Sequence, residues 1–222
     1  MRRFKNLVLV GTSHIAKQSL IEVEEVITKE NPDVVALELD KQRFYALIRK
    51  EKGKLKLQHI KNIGFKGYLF AKVGEFVERK LGERVGVSPG EEMLKAAELA
   101  SKQGCKIALI DQKIEITLKN FSKELTWREK FNFIVDIFKG VFSKKHRIKI
   151  DLSKVPDQEF INKMLKQVKD RYPNFYKVLV TDRNKYMAAK LSNLIPNFNK
   201  IVAVVGAGHE DEIIEEIKIL LK

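Results

Sequence analysis

The stretch "LVLVGTSHIA" (residues 7–16) decides the fold of this 222-residue chain, because four apolar residues run directly into a glycine. The same arrangement returns near the other end of the chain as "VAVVGAGHED" (202–211). In both stretches a histidine follows the glycine by three positions, at His14 and at His209. Short, nearly continuous apolar runs that stop at a glycine are typical of buried strands in a parallel sheet.

Two further apolar runs have the same character, "DVVALELD" (33–40) and "CKIALID" (105–111). Between the four runs and after the last one, apolar residues recur at helical spacing. These helical patterns cover residues 15–30, 157–172, 182–195 and 209–222. Alternation of strands and helices predicts an α/β fold with a mostly parallel central sheet and helices on both faces.

The length and the 44% hydrophobic content fit a single domain over residues 1–222, with a helical insertion near 120–160. The insertion contains "LTWREKFNFIVDIFKGVFSKKHR" (125–147), in which an apolar helical stripe precedes a basic cluster. The stripe consists of Trp127, Phe131, Ile134, Phe138 and Val141. Such a stripe is most often core; the alternative is a surface that binds a membrane or a partner.

Lysine and arginine outnumber the acids by 43 to 29, which gives a formal net charge of +14. This charge favours anionic partners, but it is the only nucleic-acid signal in the sequence. The single cysteine, Cys105, fits a reducing compartment. No apolar run approaches the roughly 18 residues of a membrane span. We therefore expect a cytoplasmic protein, with association at a membrane surface as the alternative.

The two histidines and a glutamate are the candidate site residues. In open α/β sheets, ligands bind beyond the carboxyl ends of the strands, where we expect His14, Glu38 and His209 to meet. Two imidazoles and a carboxylate suit a divalent transition metal with open positions for water. Without a metal, a histidine could act as a general base oriented by the glutamate. Plainer alternatives are that the histidines are loop or capping residues and that Glu38 pairs with Arg43.

Taken in order, four segments resemble the TraB/PrgY (pheromone-shutdown) family, most closely its archaeal branch. They are "VGTSHIAKQSLIEVEEVITKENPDVVALELDKQRF" (10–44), "GVSPGEEMLKAAELASKQGCKIALIDQKIEITLK" (86–119), "DRNKYMAAKL" (182–191) and "VAVVGAGH" (202–209). This family is similar to the Tiki metalloproteases, which carry paired Gly-x-x-His motifs. It is more distantly similar to the erythromycin-esterase and ChaN-like haem-binding group.

The resemblance implies a metal-dependent hydrolase, specifically a peptidase acting on a peptide or protein substrate. By position it assigns His14, Glu38 and His209 as catalytic residues and as ligands of a divalent transition metal such as Mn, Co or Zn. It assigns Arg43 and Arg183 to binding a substrate carboxylate or carbonyl, which suits the fork of a guanidinium group.

One departure from the family pattern lies after the third apolar run, where "DQK" (111–113) stands in place of an expected "DRD". The change removes an arginine, so we expect Asp111 to have fewer partners. An alternative function also remains open. The same cleft could belong to a non-enzymatic module that binds a peptide or haem, with the histidines as simple ligands.

Overall fold

A computed structural model describes residues 1–12, 17–49, 90–142 and 158–222. In these ranges the strands are β1 (Arg2–Phe4), β2 (Leu7–Thr12), β3 (Val34–Leu37), β4 (Lys106–Leu109) and β5 (Ile201–Gly206). The α-helices are α1 (Lys17–Glu30), α2 (Lys41–Ile48), α3 (Glu91–Lys102), α4 (Ile114–Glu124), α5 (Trp127–Phe142), α6 (Gln158–Arg171), α7 (Pro173–Tyr176), α8 (Asp182–Leu194) and α9 (Glu210–Leu220). A π-helical turn (Lys177–Thr181) precedes α8, and a 3-10 turn (Ile195–Asn197) follows it.

The last strand in the sequence, β5, lies at the centre of the sheet, whose order is β1-β2-β5-β3-β4. β2 and β3 flank β5 in parallel, β4 pairs with β3 in parallel, and β1 pairs with β2 antiparallel. The four strands predicted from apolar runs are confirmed, as is the mostly parallel sheet. β1 is absent from the prediction because its three residues include Arg2 and Arg3 and form no apolar run.

Helices cover both faces of the sheet, as predicted. On one face, apolar residues of β2 and β5 pack with α8 and α9 around Leu7, Leu9, Ile201, Met187, Leu191, Ile213 and Ile217. On the other face they pack with α1 and α3 around Val10, Val204, Leu37, Val23, Ile27 and Met93. Burying each such side chain contributes about 1.5–3 kcal/mol, so both faces drive folding.

The apolar stripe of α5 departs from its prediction. Trp127 is 77% exposed and Phe131 is 68% exposed, so the interpretation of the stripe as core is wrong for these two residues. The side chains of Ile134, Phe138 and Val141 lie outside the described residues. Association of this helix with a membrane surface stays a prediction, and none of the helices that the structure describes is long and apolar enough to cross a membrane.

The buried residue in the first turn of α5 is Glu129, which explains the orientation of the helix. Its carboxylate accepts hydrogen bonds from the backbone N–H of Thr126 at 3.0 Å and from that of Asn174 at 2.7 Å. Glu129 therefore caps α5 and ties it to α7, which leaves Trp127 and Phe131 on the outside. The single domain and its insertion near 120–160 stay predictions, and residues 143–157 lie outside the described ranges.

Gly11 in β2 provides space for a buried acid. Glu210, in the first turn of α9, is 3% exposed. A Cβ atom at position 11 would overlap the Glu210 carboxyl group and lie 2.9 Å from the Cα atom of Ala207. Burial raises the pKa of Glu210, although the amino group of Met1 offsets part of this effect. Gly11 belongs to the first Gly-x-x-His motif, and α9 follows the second. Packing of Gly11 against Glu210 of α9 therefore requires a glycine at this position.

Replacing Gly11 with alanine should lower the free energy of unfolding by about 1–3 kcal/mol, because the added methyl group overpacks this contact. Urea denaturation measures the loss. The matched control is Gly208→Ala, whose Cβ would make only ordinary contacts of 3.6 and 3.7 Å with Leu165. The control should stay within about 0.5 kcal/mol of the parent; equal losses in the two variants would contradict this account of Gly11.

Candidate functional site

Carboxyl ends of neighbouring strands bring most of the predicted residues together. Glu38 follows β3 directly, and its backbone N–H donates to the Val204 carbonyl at 3.0 Å. His209 lies three residues beyond the end of β5, where its N–H donates to the Gly206 carbonyl at 2.9 Å. Asp111 lies two residues beyond β4. This edge of an open α/β sheet is where ligands bind in such folds.

Arg183 joins the two acids of the site. Its Nε and Nη2 atoms donate to the two carboxylate oxygens of Asp111 at 2.9 and 2.8 Å, and Nη2 also donates to Glu38 Oε1. Glu38 is 4% exposed and Asp111 is 5% exposed. Burial alone would lower the pKa of Arg183, but the two carboxylates outweigh it and hold that pKa above its ordinary value. The guanidinium group is therefore a fixed, charged bridge.

Glu38 is held from the opposite side by the backbone. Its Oε2 atom accepts a hydrogen bond from the N–H of Gly206 at 2.6 Å. Glu38 itself follows β3, Gly206 is the last residue of β5 and Arg183 lies in α8. The carboxylate of Glu38 therefore connects these three elements. Its position is therefore set by tertiary contacts on both oxygens.

Arg43 pairs with Asp111 instead of Glu38. Its Nη1 atom donates to Asp111 Oδ2 at 3.2 Å, and its side chain is 41% exposed. The pairing of Arg43 with Glu38 that the sequence suggested is therefore wrong. Asp111 has three donors although the arginine expected after it is absent, because Arg183, Arg43 and the backbone N–H of Gln112 all donate to it. Arg43 lies in α2, which begins shortly after the end of β3. Because β4 lies beside β3, Asp111, which follows β4, is within reach of Arg43.

A chain of side-chain hydrogen bonds orients His209. Its Nδ1 atom lies 2.5 Å from Asn184 Oδ1, and the amide nitrogen of Asn184 donates to Glu212 Oε2 at 2.8 Å. The Tyr176 hydroxyl donates to the other oxygen of Glu212 at 2.5 Å. Glu212 thereby fixes which way the Asn184 amide faces. We assign the Nδ1-protonated tautomer to neutral His209 from this network, which makes Nε2 the acceptor nitrogen.

The acceptor nitrogen of His209 lies 3.5 Å from Glu38 Oε1 and 3.5 Å from Arg183 Nη1. His209 and Glu38 thus meet as the sequence predicted. His14 follows Thr12, the last residue of β2, by two positions and lies outside the described residues. Among the residues that are described, no group of three or more His, Cys, Asp or Glu side chains could hold a metal ion.

Sequence reasoning missed Asn184, Glu212 and Tyr176 as parts of the site. Two of them had a local signal, since Asn184 adjoins Arg183 and Glu212 lies one helical turn after His209. The π-helical turn before α8 had no such signal in the sequence. It inserts one extra residue into the helix, with the N–H of Asp182 donating to the Lys177 carbonyl. Such turns are frequent at functional sites, and this one sets the helical phase of the residues that follow.

The sequence pattern of the TraB/PrgY/gumN family matches residues 3–212, a span that includes Glu38, Asp111, Arg183 and His209. The chain belongs to this family. The resemblance to TraB/PrgY proteins that the motifs indicated is therefore confirmed, whereas the likeness to the Tiki metalloproteases and to the esterase and ChaN-like group stays a prediction.

Relatives of the chain occur in archaea and in mammals. A Methanocaldococcus jannaschii protein, "Uncharacterized protein MJ1365", is 36% identical over 215 residues, which cover 96% of this chain and 53% of the relative. The "TraB domain-containing protein" of Mus musculus is 25% identical and that of Homo sapiens 24% identical over 229 residues, covering 90% of this chain and 60% of each relative. The chain thus spans little more than half the length of the curated relatives it matches.

Replacing Arg183 with methionine should lower the free energy of unfolding by about 3–5 kcal/mol, because two buried carboxylates would lose their shared cation. Thermal and urea denaturation measure the loss. Arg43→Met is the matched control, since it removes a second arginine from the same Asp111 at a half-exposed position. Its loss should stay below about 1 kcal/mol. Similar losses in both variants would show that burial of the bridge is unimportant.

Nitrogen-15 NMR of labelled histidine should show the neutral His209 ring protonated at Nδ1, because Asn184 Oδ1 accepts its proton. In Asn184→Ala the acceptor is removed, so the ring should become a mixture of both tautomers. Glu212→Gln should produce part of the same change, because the Asn184 amide can then turn over. A ring protonated at Nε2 in the parent chain would refute the assigned network.

Proposed function

We propose that this chain is a metal-assisted hydrolase of peptide bonds, in which His14, Glu38 and His209 hold a divalent transition metal such as Mn, Co or Zn. The orientation of His209 is the observation that carries the proposal. Its Nδ1 atom is engaged by Asn184, and its Nε2 atom lies 3.5 Å from Glu38 Oε1. Metal-binding histidines are held in this manner by a hydrogen bond at the other ring nitrogen.

Two of the three donors, His209 and Glu38, fit such a metal in type and spacing. Imidazole and carboxylate groups serve Mn, Co and Zn alike. Two ligands that each lie about 2.1 Å from one ion are about 3–3.5 Å apart, close to the separation of His209 Nε2 and Glu38 Oε1. The charge of Arg183 opposes a cation here, but Asp111 counters it by accepting from both Nε and Nη2 of the guanidinium.

Each charged residue of the site then has a role. A bound divalent cation would lower the pKa of a water molecule and polarise the scissile carbonyl. Arg183 acts as a positioning residue, because Glu38, Asp111 and the Leu179 carbonyl take up its donors. Arg43 is half-exposed and has one hydrogen bond to Asp111, so its fork is better placed to bind a substrate carboxylate or carbonyl.

A second candidate is a peptide-binding module without catalysis. The charge balance of the described residues favours it, since two arginines, Arg183 and Arg43, already neutralise the two acids, Glu38 and Asp111. A site that is neutral in this way needs no metal ion for stability. The two candidates differ in whether metal binds and whether peptide is cleaved.

Metal content per chain tests the proposal. The protein, purified without a histidine tag, is offered Mn, Co and Zn in turn and analysed by plasma mass spectrometry, and a mixed peptide pool is incubated with the loaded protein. The chain has four histidines, so His14→Ala/His209→Ala has a matched control in His59→Ala/His146→Ala. Asn184→Ala should weaken metal binding by roughly 10–100-fold, as loss of an outer hydrogen bond does.

Metal bound at close to one ion per chain, together with peptide cleavage, should disappear in His14→Ala/His209→Ala and persist in the control. Bound metal without cleavage of any peptide would overturn the hydrolase assignment. Cleavage that is insensitive to chelators and to both histidine substitutions would overturn the assigned site. The absence of both metal and cleavage, with peptide still bound, would establish the binding module instead.

A further inference from the structure

We propose that the outer edge of β4 binds the substrate as an extended acidic peptide, which adds to the sheet as a further strand leading to the catalytic residues. This inference rests on the proposed function, because it takes the ligand of the groove to be the peptide substrate of that site. It is carried by the backbone of β4, by the groove beside it and by the charge of the groove.

The backbone of β4 has hydrogen-bonding groups on its outer side. The N–H of Lys106 donates to the Asp33 carbonyl at 2.9 Å, and that of Ile110 donates to the Leu37 carbonyl at 3.0 Å. Because alternate residues of a strand direct their N–H and C=O groups to opposite sides, Ile107 and Leu109 direct theirs away from β3. Within the described ranges no strand pairs with this side. Such an edge is a template for an added strand.

A groove of about 380 Å³ follows this edge, and its walls come from both layers of the fold. Ile107 and Leu109 belong to the strand itself, Phe44 and Tyr45 come from α2, and Tyr186 comes from α8. Tyr45 is 48% exposed and Tyr186 is 37% exposed. Aromatic walls on both sides of a strand edge suit apolar side chains that alternate along an extended peptide.

The charge of the groove favours an acidic ligand. Lys41 and Lys113 line it, and both side chains are exposed with no ion-pair partner among the described residues. The acids of the groove are already engaged. Asp40 accepts from the backbone N–H groups at the starts of α2 and α4, and Asp111 binds two arginines. The groove therefore presents two exposed cations, neither of them in an ion pair within the described ranges, beside an apolar floor.

The groove and the candidate site share Asp111. Asp111 lines the groove and is hydrogen-bonded to Arg183, which contacts Glu38 and lies 3.5 Å from His209. The carboxyl end of β4 thus leads from the groove to the proposed catalytic residues. A peptide that pairs with β4 would deliver its backbone to the edge of the sheet at which a carbonyl is to be attacked.

Fluorescence anisotropy tests the ligand class with two labelled octapeptides, one of alternating valine and glutamate and one of alternating valine and lysine. The acidic peptide should bind the full chain at least about tenfold more tightly. In Lys41→Glu/Lys113→Glu this preference should vanish or reverse. The matched control is Lys29→Glu/Lys102→Glu, which makes the same change of charge in the last turns of α1 and α3 and should keep the preference.

Hydrogen exchange tests the mode of binding. Saturation with the acidic peptide should slow exchange of the Ile107 and Leu109 amides. The peptide can be N-methylated on its odd-numbered or on its even-numbered residues, and only one of these two sets should abolish binding, because only alternate N–H groups face β4. No binding at about 1 mM would overturn the inference. So would equal binding of both peptides, a preference lost equally in the control variant, or protection that spares Ile107 and Leu109.

The two proposals fail in different ways. Peptide binding is measured without added metal, and it should persist in His14→Ala/His209→Ala, which keeps the groove. Binding at β4 with no cleavage of any peptide would refute the hydrolase and leave the groove. Cleavage with kinetics unchanged in Lys41→Glu/Lys113→Glu and in Tyr45→Ala/Tyr186→Ala would refute the groove and leave the hydrolase.

Discussion

The guanidinium group of Arg183, shared between Glu38 and Asp111, is the interaction on which the site depends. It connects the ends of β3 and β4 to α8, and Glu38 extends the connection to the backbone of Gly206 in β5. Two buried carboxylates at one edge of a sheet would repel each other without a cation between them. The bridge therefore keeps both acids in place.

The same turn of α8 also determines the state of His209. Asn184 adjoins Arg183, so the residue that holds the carboxylates and the residue that holds the imidazole lie on one turn of the same helix. Glu212, in the helix that follows His209, accepts a hydrogen bond from the Asn184 amide nitrogen. A closed set of side-chain contacts of this kind fixes geometry more firmly than separate pairs do, because no member can turn without breaking a neighbour's bond. The π-helical turn before Asp182 sets the phase of this unit.

The fold was largely predictable because its central strands, β2, β3 and β5, are buried on both faces and therefore consist of apolar runs. The meeting of Glu38 and His209 followed from the same fact, since both residues lie just beyond strand ends. The failures have physical reasons as well. β1 is short and charged, and Trp127 and Phe131 look like core by spacing although the contacts of Glu129 place them outside. The partner of Arg43 depends on which strand lies beside β3.

By itself, the sequence determined the α/β class, the positions of the four apolar strands, the family and the residue types at the sheet edge, because local patterns of apolar residues and glycines encode these features. Only the tertiary structure decided that β5 lies between β2 and β3, that Arg183 bridges Glu38 and Asp111, and that Asn184 orients His209. Each of these contacts joins residues more than 20 positions apart. Their pairing follows from strand order and helix phase, which emerge only when the whole core packs.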